Sequence, residues 1–368
     1  MIKEYKQFNT SKNKGKNMRI CFVLPGFSRT PIGGYKMVYE YANRLCEYGY
    51  EVVILSLNNT KMKQFHLPEF MRKMLVNVVN KRQPQWFTLH KNIKNISGEE
   101  KQWQSKIGAC DAVFATGIQT AEIVKNNFRG AKKLYLIQGY ENWGVTEDYL
   151  HKTYNYGFCN IVVSNWLKEI VDIYSKTPSI LLKNPIDTNL YACKKNQYSR
   201  KKHSIGLLYH TDEIKGLHYA LKAIYKLKEK YEDLTVEMFG MFSRPKEFPE
   251  WIHYTMNATV NQTVEIYNDV QVFLCASIEE GYGLTGLEAM SCGACLVSTS
   301  YKGVLEYAQN EYNALLSPTK DVGGLINNVS LVFDNDDIRL NLAKNGVESV
   351  KKYSWDGAMK KMNELIVG

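Results

Sequence analysis

The sequence predicts an α/β protein with two Rossmann-like domains that face a central cleft. Strand-sized apolar runs alternate with helix-length segments in both halves of the chain, and the alternation starts again after a polar, basic stretch at residues 181–203. Such alternation is typical of parallel sheets covered by helices. The length of 368 residues also suits two domains of roughly 150 residues each.

The first half opens with a βαβ unit. A strand predicted at 19–26 leads into a helix from Tyr35 to Tyr48, whose apolar residues recur at helical spacing, and a second strand follows at 50–57. Further strands are predicted from apolar runs at 112–117, 133–140 and 160–165. This series predicts a parallel, doubly wound sheet.

The second half repeats the pattern. Its strands are predicted from four apolar runs, at 204–210, 235–241, 270–277 and 295–299. Helices are predicted at 217–231, near 262–268 and directly after Gly283. The predicted organisation is therefore a basic disordered tail at 1–17, an N-terminal domain at 18–185, a C-terminal domain at 186–350, and a C-terminal helix at 351–368 that closes the second domain or crosses back to the first.

Charge and hydropathy restrict the class of protein. The chain has 47 Lys and Arg against 37 Asp and Glu, and five of the lysines lie within residues 1–17. No stretch reaches 18 consecutive apolar residues, so the sequence predicts a cytoplasmic protein whose membrane contact, if any, is peripheral. The net charge of +10 suits acidic partners, but no nucleic-acid-binding module is recognisable, which argues against nucleic acid as a partner.

Two short patterns imitate metal sites. Cys292 and Cys295 have the spacing of a metal or redox pair, but without a second pair or matching His spacing we interpret them as small buried thiols after a helix. The letters "DND" at 334–336 imitate a metal-binding acid pair, and helix capping by Asp336 or Asp337 explains them better. The sequence therefore predicts neither a metal site nor a cofactor.

The stretch "EGYGLTGLE" at 280–288 is the most informative one. It places two carboxylates, Glu280 and Glu288, on either side of a glycine-rich turn before a helix. Thr285 and Glu288 fit a capping box, which would make Glu288 a helix cap and Glu280 a solvated loop acid. The alternative is a ligand site, because free N–H groups at a helix N-terminus suit a phosphate and a carboxylate accepts hydrogen bonds from sugar hydroxyls.

Three stretches, "EEGYGLTGLEAMSCGACLVST", "IGG" and "YHTDEIKG", resemble the family 4 retaining glycosyltransferases of the GT-B fold, and the resemblance covers almost all of the folded chain. The run "LYLIQGYE" is similar to the rhamnosyltransferase-like branch of that family. The resemblance implies transfer of a sugar from a dTDP-, UDP- or GDP-linked donor to a glycan or lipid-linked glycan acceptor in bacterial-type surface polysaccharide synthesis. It also implies chemistry without a metal ion or an enzyme nucleophile.

The resemblance assigns roles to particular residues. Glu280 contacts the transferred sugar, Lys215 contacts the diphosphate, and His210 stands where such enzymes usually carry an arginine. The other donor-binding residues are glycines that allow close backbone approach, backbone groups near the phosphates and a ribose-binding acid: Gly33, Gly34, Tyr282, Gly283, Leu284, Thr285 and Glu288. Gln138 is a substrate contact. Apart from the resemblance, His210 would simply end a strand, Lys215 would be a surface lysine and Gln138 a strand-end polar residue.

Other interpretations stay open at this stage. The histidine in place of arginine also fits a donor-binding scaffold subunit of low activity, and the fold also suits a sugar-nucleotide epimerase. Residues 61–82 combine six basic residues with interleaved apolar ones. That pattern is typical of an amphipathic helix, which either packs on its own domain or lies on an anionic membrane surface near a lipid-linked acceptor.

Overall fold

The computed structural model describes residues 18–57, 71, 84–98 and 100–368. The predicted basic tail at 1–17 and, apart from residue 71, the predicted amphipathic helix at 61–82 lie outside the described residues. Within the described ranges, no helix combines the length and the apolar character needed to cross a bilayer.

The chain divides into two compact units. The first contains the residues up to Ile161, together with Val171–Ile180 and Met359–Gly368, and the second contains Val162–Ile170 and Leu181–Ala358. The chain therefore passes between the units more than once, and its last helix begins in the second unit and ends in the first.

The first unit is built on a seven-stranded sheet. In chain order its strands β1 to β7 are Arg19–Leu24, Glu51–Leu57, Lys94–Gly98, Ala112–Ala115, Lys132–Ile137, Cys159–Val162 and Ile180–Leu181. The spatial order is β3-β2-β1-β4-β5-β6-β7, and β1 pairs in parallel with both β2 and β4. The helices α1 to α5 are Gly33–Glu47, Glu100–Ile107, Ile118–Asn127, Glu147–Tyr154 and Asn165–Tyr174, of which α5 begins in the second unit and ends in the first.

The central strands of this sheet are mostly apolar and buried because helices cover both faces of a parallel sheet. Phe22 of β1 and Phe114 of β4 are fully buried and stack with their ring centroids 4.6 Å apart. Helix α1 begins at Gly33, two residues before the predicted start, and buries Val38, Tyr41 and their helical neighbours against the sheet. Because β1, β2 and β4 are parallel, their carboxyl ends lie at the same edge of the sheet.

The second unit repeats the same strand order. Its strands β8 to β13 are Ser204–Tyr209, Thr235–Gly240, Ile252–Met256, Val272–Cys275, Cys295–Thr299 and Ala314–Ser317, arranged as β10-β9-β8-β11-β12-β13. The helices α6 to α11 are Leu217–Lys230, Val260–Asp269, Leu284–Ser291, Val322–Asp334, Asp336–Val350 and Trp355–Val367. Two parallel α/β sheets confirm the fold class predicted from the sequence.

Candidate active site

The loop between β11 and α8 carries the predicted site, and a glycine fixes its shape. Gly283 is the N-terminal cap of α8, has a φ of +86° and makes no side-chain cap hydrogen bond. A Cβ added at Gly283 would lie 2.1 Å from the hydroxyl oxygen of Tyr301. The Tyr307 hydroxyl donates a 2.6 Å hydrogen bond to the Gly283 carbonyl. Both the backbone angle and the packing therefore require glycine here.

The capping box predicted from Thr285 and Glu288 is wrong. Helix α8 begins at Leu284, so Thr285 is already its second residue. The carboxylate of Glu288 instead accepts a 3.1 Å hydrogen bond from the buried hydroxyl of Tyr267, and Glu288 is only 8% exposed. A long-range contact with α7, which the local pattern does not show, therefore holds Glu288.

Glu280 is neither solvated nor alone. Its Oε2 lies 2.9 Å from the Lys215 ammonium, and its Oε1 accepts a 2.6 Å hydrogen bond from the Ser277 hydroxyl. The side chains of Glu280 and Lys215 are 16% and 25% exposed. The interpretation of Glu280 as a solvated loop acid is therefore wrong, and the fold brings together a carboxylate and an ammonium that are 65 positions apart in the sequence.

Backbone contacts hold the Lys215 turn against the end of β11. The Ile278 N–H donates a 2.7 Å hydrogen bond to the Ile214 carbonyl. Gly216, which follows Lys215, has a φ of +61°, and a Cβ there would lie 1.9 Å from the Ala276 carbonyl oxygen. Because only a glycine allows this close approach, Gly216 fixes Lys215 beside Glu280.

His210 follows β8 and lies near the same ion pair. Its Nδ1 accepts a 3.1 Å hydrogen bond from the Asp212 backbone N–H, and its ring meets Phe242 edge to face at 5.7 Å. Burial, followed by the positive charge of Lys215, lowers the pKa of His210 below its ordinary value. His210 is therefore neutral at pH 7 and differs in charge from the arginine that the resemblance leads us to expect.

The remaining predicted residues lie in the first unit. Gly33 and Gly34 are the first two residues of α1, and Gln138 directly follows β5. The Gln138 amide nitrogen donates a 3.1 Å hydrogen bond to the Gly34 carbonyl, and a Cβ added at Gly34 would lie 3.2 Å from that nitrogen. The structure thus joins Gln138 to Gly34, and this contact fixes the orientation of the Gln138 amide.

The sequence patterns missed several residues that support the site. Ser277 holds Glu280, Tyr267 holds Glu288, and the Trp166 indole donates a 3.2 Å hydrogen bond to the Gly281 carbonyl. Ser277 stands only three positions before Glu280 at the end of a predicted strand, so its position could have suggested it. Trp166 and Tyr267 are remote in sequence, and no local signal points to them.

The two patterns that imitate metal sites belong to the core and to the start of a helix. Cys292 and Cys295 are fully buried, and burial raises the pKa of each thiol to about 12. Asn335 caps α10 by accepting a 3.0 Å hydrogen bond from the Ile338 N–H, so the prediction of Asp336 or Asp337 as the cap is wrong. Among the described residues, no group of three or more His, Cys, Asp or Glu side chains could hold a metal ion.

Comparison with known proteins relates this geometry to a family. Residues 194–349 match the family model described as glycosyl transferases group 1. A segment of 102 residues is 31% identical to N,N'-diacetylbacillosaminyl-diphospho-undecaprenol alpha-1,3-N-acetylgalactosaminyltransferase of Campylobacter jejuni, covering 28% of this chain and 27% of that protein. An uncharacterized glycosyltransferase of Methanocaldococcus jannaschii is 24% identical over 222 residues, which cover 56% of this chain and 59% of the relative. The matched segments thus span only part of the length of these curated relatives.

Solved structures extend the likeness to the whole fold. Sucrose-phosphate synthase from Thermosynechococcus elongatus superposes with a TM-score of 0.73 at 14% identity, over 95% of this chain and 98% of that chain. Anabaena HepE, solved in complex with UDP and glucose, gives a TM-score of 0.73 at 12% identity, over 94% and 98%. Residues 194–349 therefore belong to the glycosyl transferases group 1 family, and the chain has the GT-B fold.

Proposed function

We propose that this protein is a retaining glycosyltransferase that moves a sugar from a nucleoside-diphosphate donor to a glycan or lipid-linked glycan acceptor. The observation that carries the proposal is the Lys215–Glu280 pair in front of α8, with a nitrogen-to-oxygen distance of 2.9 Å. A donor sugar nucleotide presents an anionic diphosphate beside neutral hydroxyls. A cation and a hydroxyl-binding carboxylate held side by side match that combination.

In this proposal the protein acts by stabilising charge on the diphosphate and by positioning the transferred sugar. Lys215 stabilises the negative charge that builds up on the diphosphate as the bond between the sugar carbon and the phosphate oxygen breaks. Glu280, oriented by Ser277, accepts hydrogen bonds from hydroxyls of the transferred sugar. The acceptor oxygen forms the new bond to the same carbon on the same face, and its proton passes to the departing diphosphate oxygen. No enzyme nucleophile takes part.

The start of α8 supplies the rest of the proposed donor site. The backbone of Tyr282, Gly283, Leu284 and Thr285 leads into the helix N-terminus, where N–H groups without intrahelical partners suit a phosphate. Glu288 lies one turn further on and is oriented by Tyr267, which suits a ribose contact. The Anabaena HepE structure in complex with UDP-glucose supports a nucleotide-sugar donor, and dTDP- and GDP-linked donors remain part of the proposal.

A lipid-linked acceptor would bring the protein to a membrane. The name of the Campylobacter relative specifies a saccharide on diphospho-undecaprenol, which supports such an acceptor; a role in surface polysaccharide synthesis remains part of the proposal. The basic amphipathic segment at 61–82 is then the candidate for peripheral contact, at about 1 kcal/mol per basic residue on an anionic surface. Sedimentation with anionic vesicles should show salt-sensitive binding that drops when Arg72, Lys73, Lys81 and Arg82 are changed to Gln. If that variant bound the vesicles as well as the wild type does, the result would contradict a membrane-binding role for residues 61–82.

The lowered pKa of His210 favours a second candidate, a donor-binding scaffold subunit that turns over slowly. A neutral imidazole contributes less to leaving-group stabilisation than a guanidinium does. Lys215 and Glu280, however, are both present and in contact, and we therefore favour the enzyme. A scaffold would bind nucleoside diphosphate but turn over every sugar nucleotide only slowly.

Turnover of a donor panel tests the proposed function. The purified protein is mixed with UDP-, dTDP- and GDP-linked sugars, and release of nucleoside diphosphate is measured with water alone and with added glycosides. We expect one nucleotide class to be consumed and the product to keep the anomeric configuration of the donor sugar by proton NMR. An inverted product would contradict the retaining mechanism, and an epimerised donor with no released diphosphate would indicate the epimerase.

A further inference from the structure

A second group of polar residues lies at the carboxyl edge of the first sheet, around Glu141. Because β1 pairs with β2 on one side and β4 on the other, the order of the strands changes direction between β1 and β4. Open parallel sheets bind ligands in the crevice at such a point. The Oε2 of Glu141 accepts a 2.5 Å hydrogen bond from the N–H of Ile118, the first residue of α3.

Segments that follow three different strands meet at this place. A Cβ added at Gly117, which caps α3, would lie 3.1 Å from Cγ of Pro25 and 3.4 Å from Oε2 of Glu141. Pro25 follows β1, Gly117 lies shortly after β4, and Glu141 comes after β5. Glu141 therefore reaches across from its own strand end to the crevice between β1 and β4.

The electrostatic surroundings of Glu141 are unusual for a carboxylate that only caps a helix. Burial raises its pKa to about 7, while the hydrogen bond from Ile118 acts in the opposite direction. The titratable groups on which its charge acts are Tyr35 of α1, Tyr135 of β5 and Tyr154 of α4, and burial raises the pKa of all three. These tyrosines stay neutral near pH 7, so they supply no charge to balance the carboxylate. Perturbed carboxyl groups of this kind are concentrated at functional sites.

Two residues near Glu141 have side chains that suit the binding of a saccharide. Gln138 has its amide nitrogen fixed on the Gly34 carbonyl, which sets the direction of the amide oxygen. Trp143 is 59% exposed, and its ring edge comes within 3.9 Å of where a Cβ of Gly139 would be. A sugar ring offers hydroxyls at its rim and C–H groups on its faces. A carboxylate, an amide and an open indole suit these two kinds of surface.

We propose that Glu141 binds the acceptor saccharide by accepting a hydrogen bond from one of its hydroxyls, with Gln138 and Trp143 completing the subsite. This inference rests on the proposed function, since it assigns the acceptor of that reaction. The Ile118 N–H anchors one carboxylate oxygen and leaves the other for the sugar. Protonation would convert an acceptor oxygen into a donor, so the Km for the acceptor should rise as the pH falls below about 7.

The test compares two acceptors for one donor in the same preparation. Transfer to a panel of p-nitrophenyl glycosides is measured beside transfer to water. For Glu141→Gln we expect the Km for the glycoside to rise about tenfold or more, with loss of the pH dependence, while transfer to water and thermal stabilisation by nucleotide stay unchanged. Trp143→Ala should raise the same Km, and because this side chain is exposed it keeps the test valid if the Glu141 variant does not fold.

The matched control is Glu122→Gln on α3, whose exposed carboxylate accepts a 3.1 Å hydrogen bond from the Tyr149 hydroxyl. It should leave the glycoside Km unchanged. Equal losses in transfer to water and to glycoside in the Glu141 variant would overturn the inference, as would an unchanged Km or a wild-type protein that transfers only to water. If no sugar nucleotide is consumed and no nucleotide stabilises the protein, the proposed function itself fails.

Discussion

At Glu280, one carboxylate holds two partners, the ammonium of Lys215 and the hydroxyl of Ser277. Both charged groups are partly buried, and each compensates the charge of the other. Removing one member of such a pair leaves the other unpaired, which is more costly than replacing both. The residues that bind substrate in our proposal are thus also linked to the stability of the second unit, and variants must be judged on folding as well as on activity.

The first prediction concerns the charge of Glu280. Glu280→Gln keeps the shape and the hydrogen bond from Ser277 but removes the negative charge that orients the sugar hydroxyls. We expect transfer to fall by about two orders of magnitude or more with the fold retained. Circular dichroism checks the fold, and release of nucleoside diphosphate measures the rate. The control is Glu279→Gln, at the exposed neighbouring residue. This variant should keep normal turnover. Near-normal turnover in the Glu280 variant would remove Glu280 from the site.

The second prediction concerns the protonation of His210. Its pKa is lowered in the protein without ligand, and a bound diphosphate would favour the imidazolium, so binding should take up a proton. Affinity for the diphosphate should therefore increase from pH 8 to pH 6 more steeply in the wild type than in His210→Gln, and titration calorimetry at both pH values measures this. His210→Arg should retain or improve activity at pH 8. Parallel pH dependence in the wild type and His210→Gln would place His210 away from the phosphates.

At the scale of elements, strands in the middle of a sheet could be predicted and edge strands could not. The run "CLVST" coincides with β12 at Cys295–Thr299, because all five of its residues are buried and a strand covered on both faces is rich in apolar residues. At the sheet edges, β3 and β10 carry exposed polar residues. Neither contains a continuous apolar run, and the sequence analysis assigned neither as a strand.

The sequence likewise predicted only part of the candidate active site. The glycine-rich motif drew attention to Glu280 and Glu288, but the start of α8 depends on contacts of Gly283 with Tyr301 and Tyr307. A local capping pattern contains no information about such contacts, which explains why the box predicted at Thr285 was wrong. The same holds for the partner of Glu288, a tyrosine on another helix.

The third prediction tests the entry into α8. Gly283→Ala must adopt a left-handed backbone, at a cost of about 1–2 kcal/mol, and must also displace the Tyr301 hydroxyl. Thermal unfolding should therefore show a clear loss of stability, together with weaker nucleotide binding. Gly157→Ala is the control, because Gly157 has a φ of +78° but nothing within 4 Å of an added Cβ. Equal losses of stability in the two variants would mean that the tyrosine contact does not matter.

For the whole molecule, two units with the same strand order carry different polar groups at the carboxyl edges of their sheets. The second unit contains Lys215, Glu280 and Glu288, whereas the first contains Gln138 and Glu141. The former set binds the donor in the proposed function, and the latter binds the acceptor in the further inference that rests on it. The alternation of strands and helices made the doubled fold predictable, but which side chains meet within each unit is decided by contacts between distant parts of the chain.

The central claim is that the second unit binds a nucleoside diphosphate through Lys215. Thermal unfolding with UDP, dTDP or GDP, beside the matching nucleosides, tests it most directly. One diphosphate should stabilise the wild type by about 2.7 kcal/mol at one hundred times its Kd, and Lys215→Ala should reduce that ligand-induced shift to near the value for the nucleoside. Lys222→Ala, an exposed lysine on α6, should keep the full shift. No stabilisation by any diphosphate, or an equal shift in the Lys215 variant, would contradict the account.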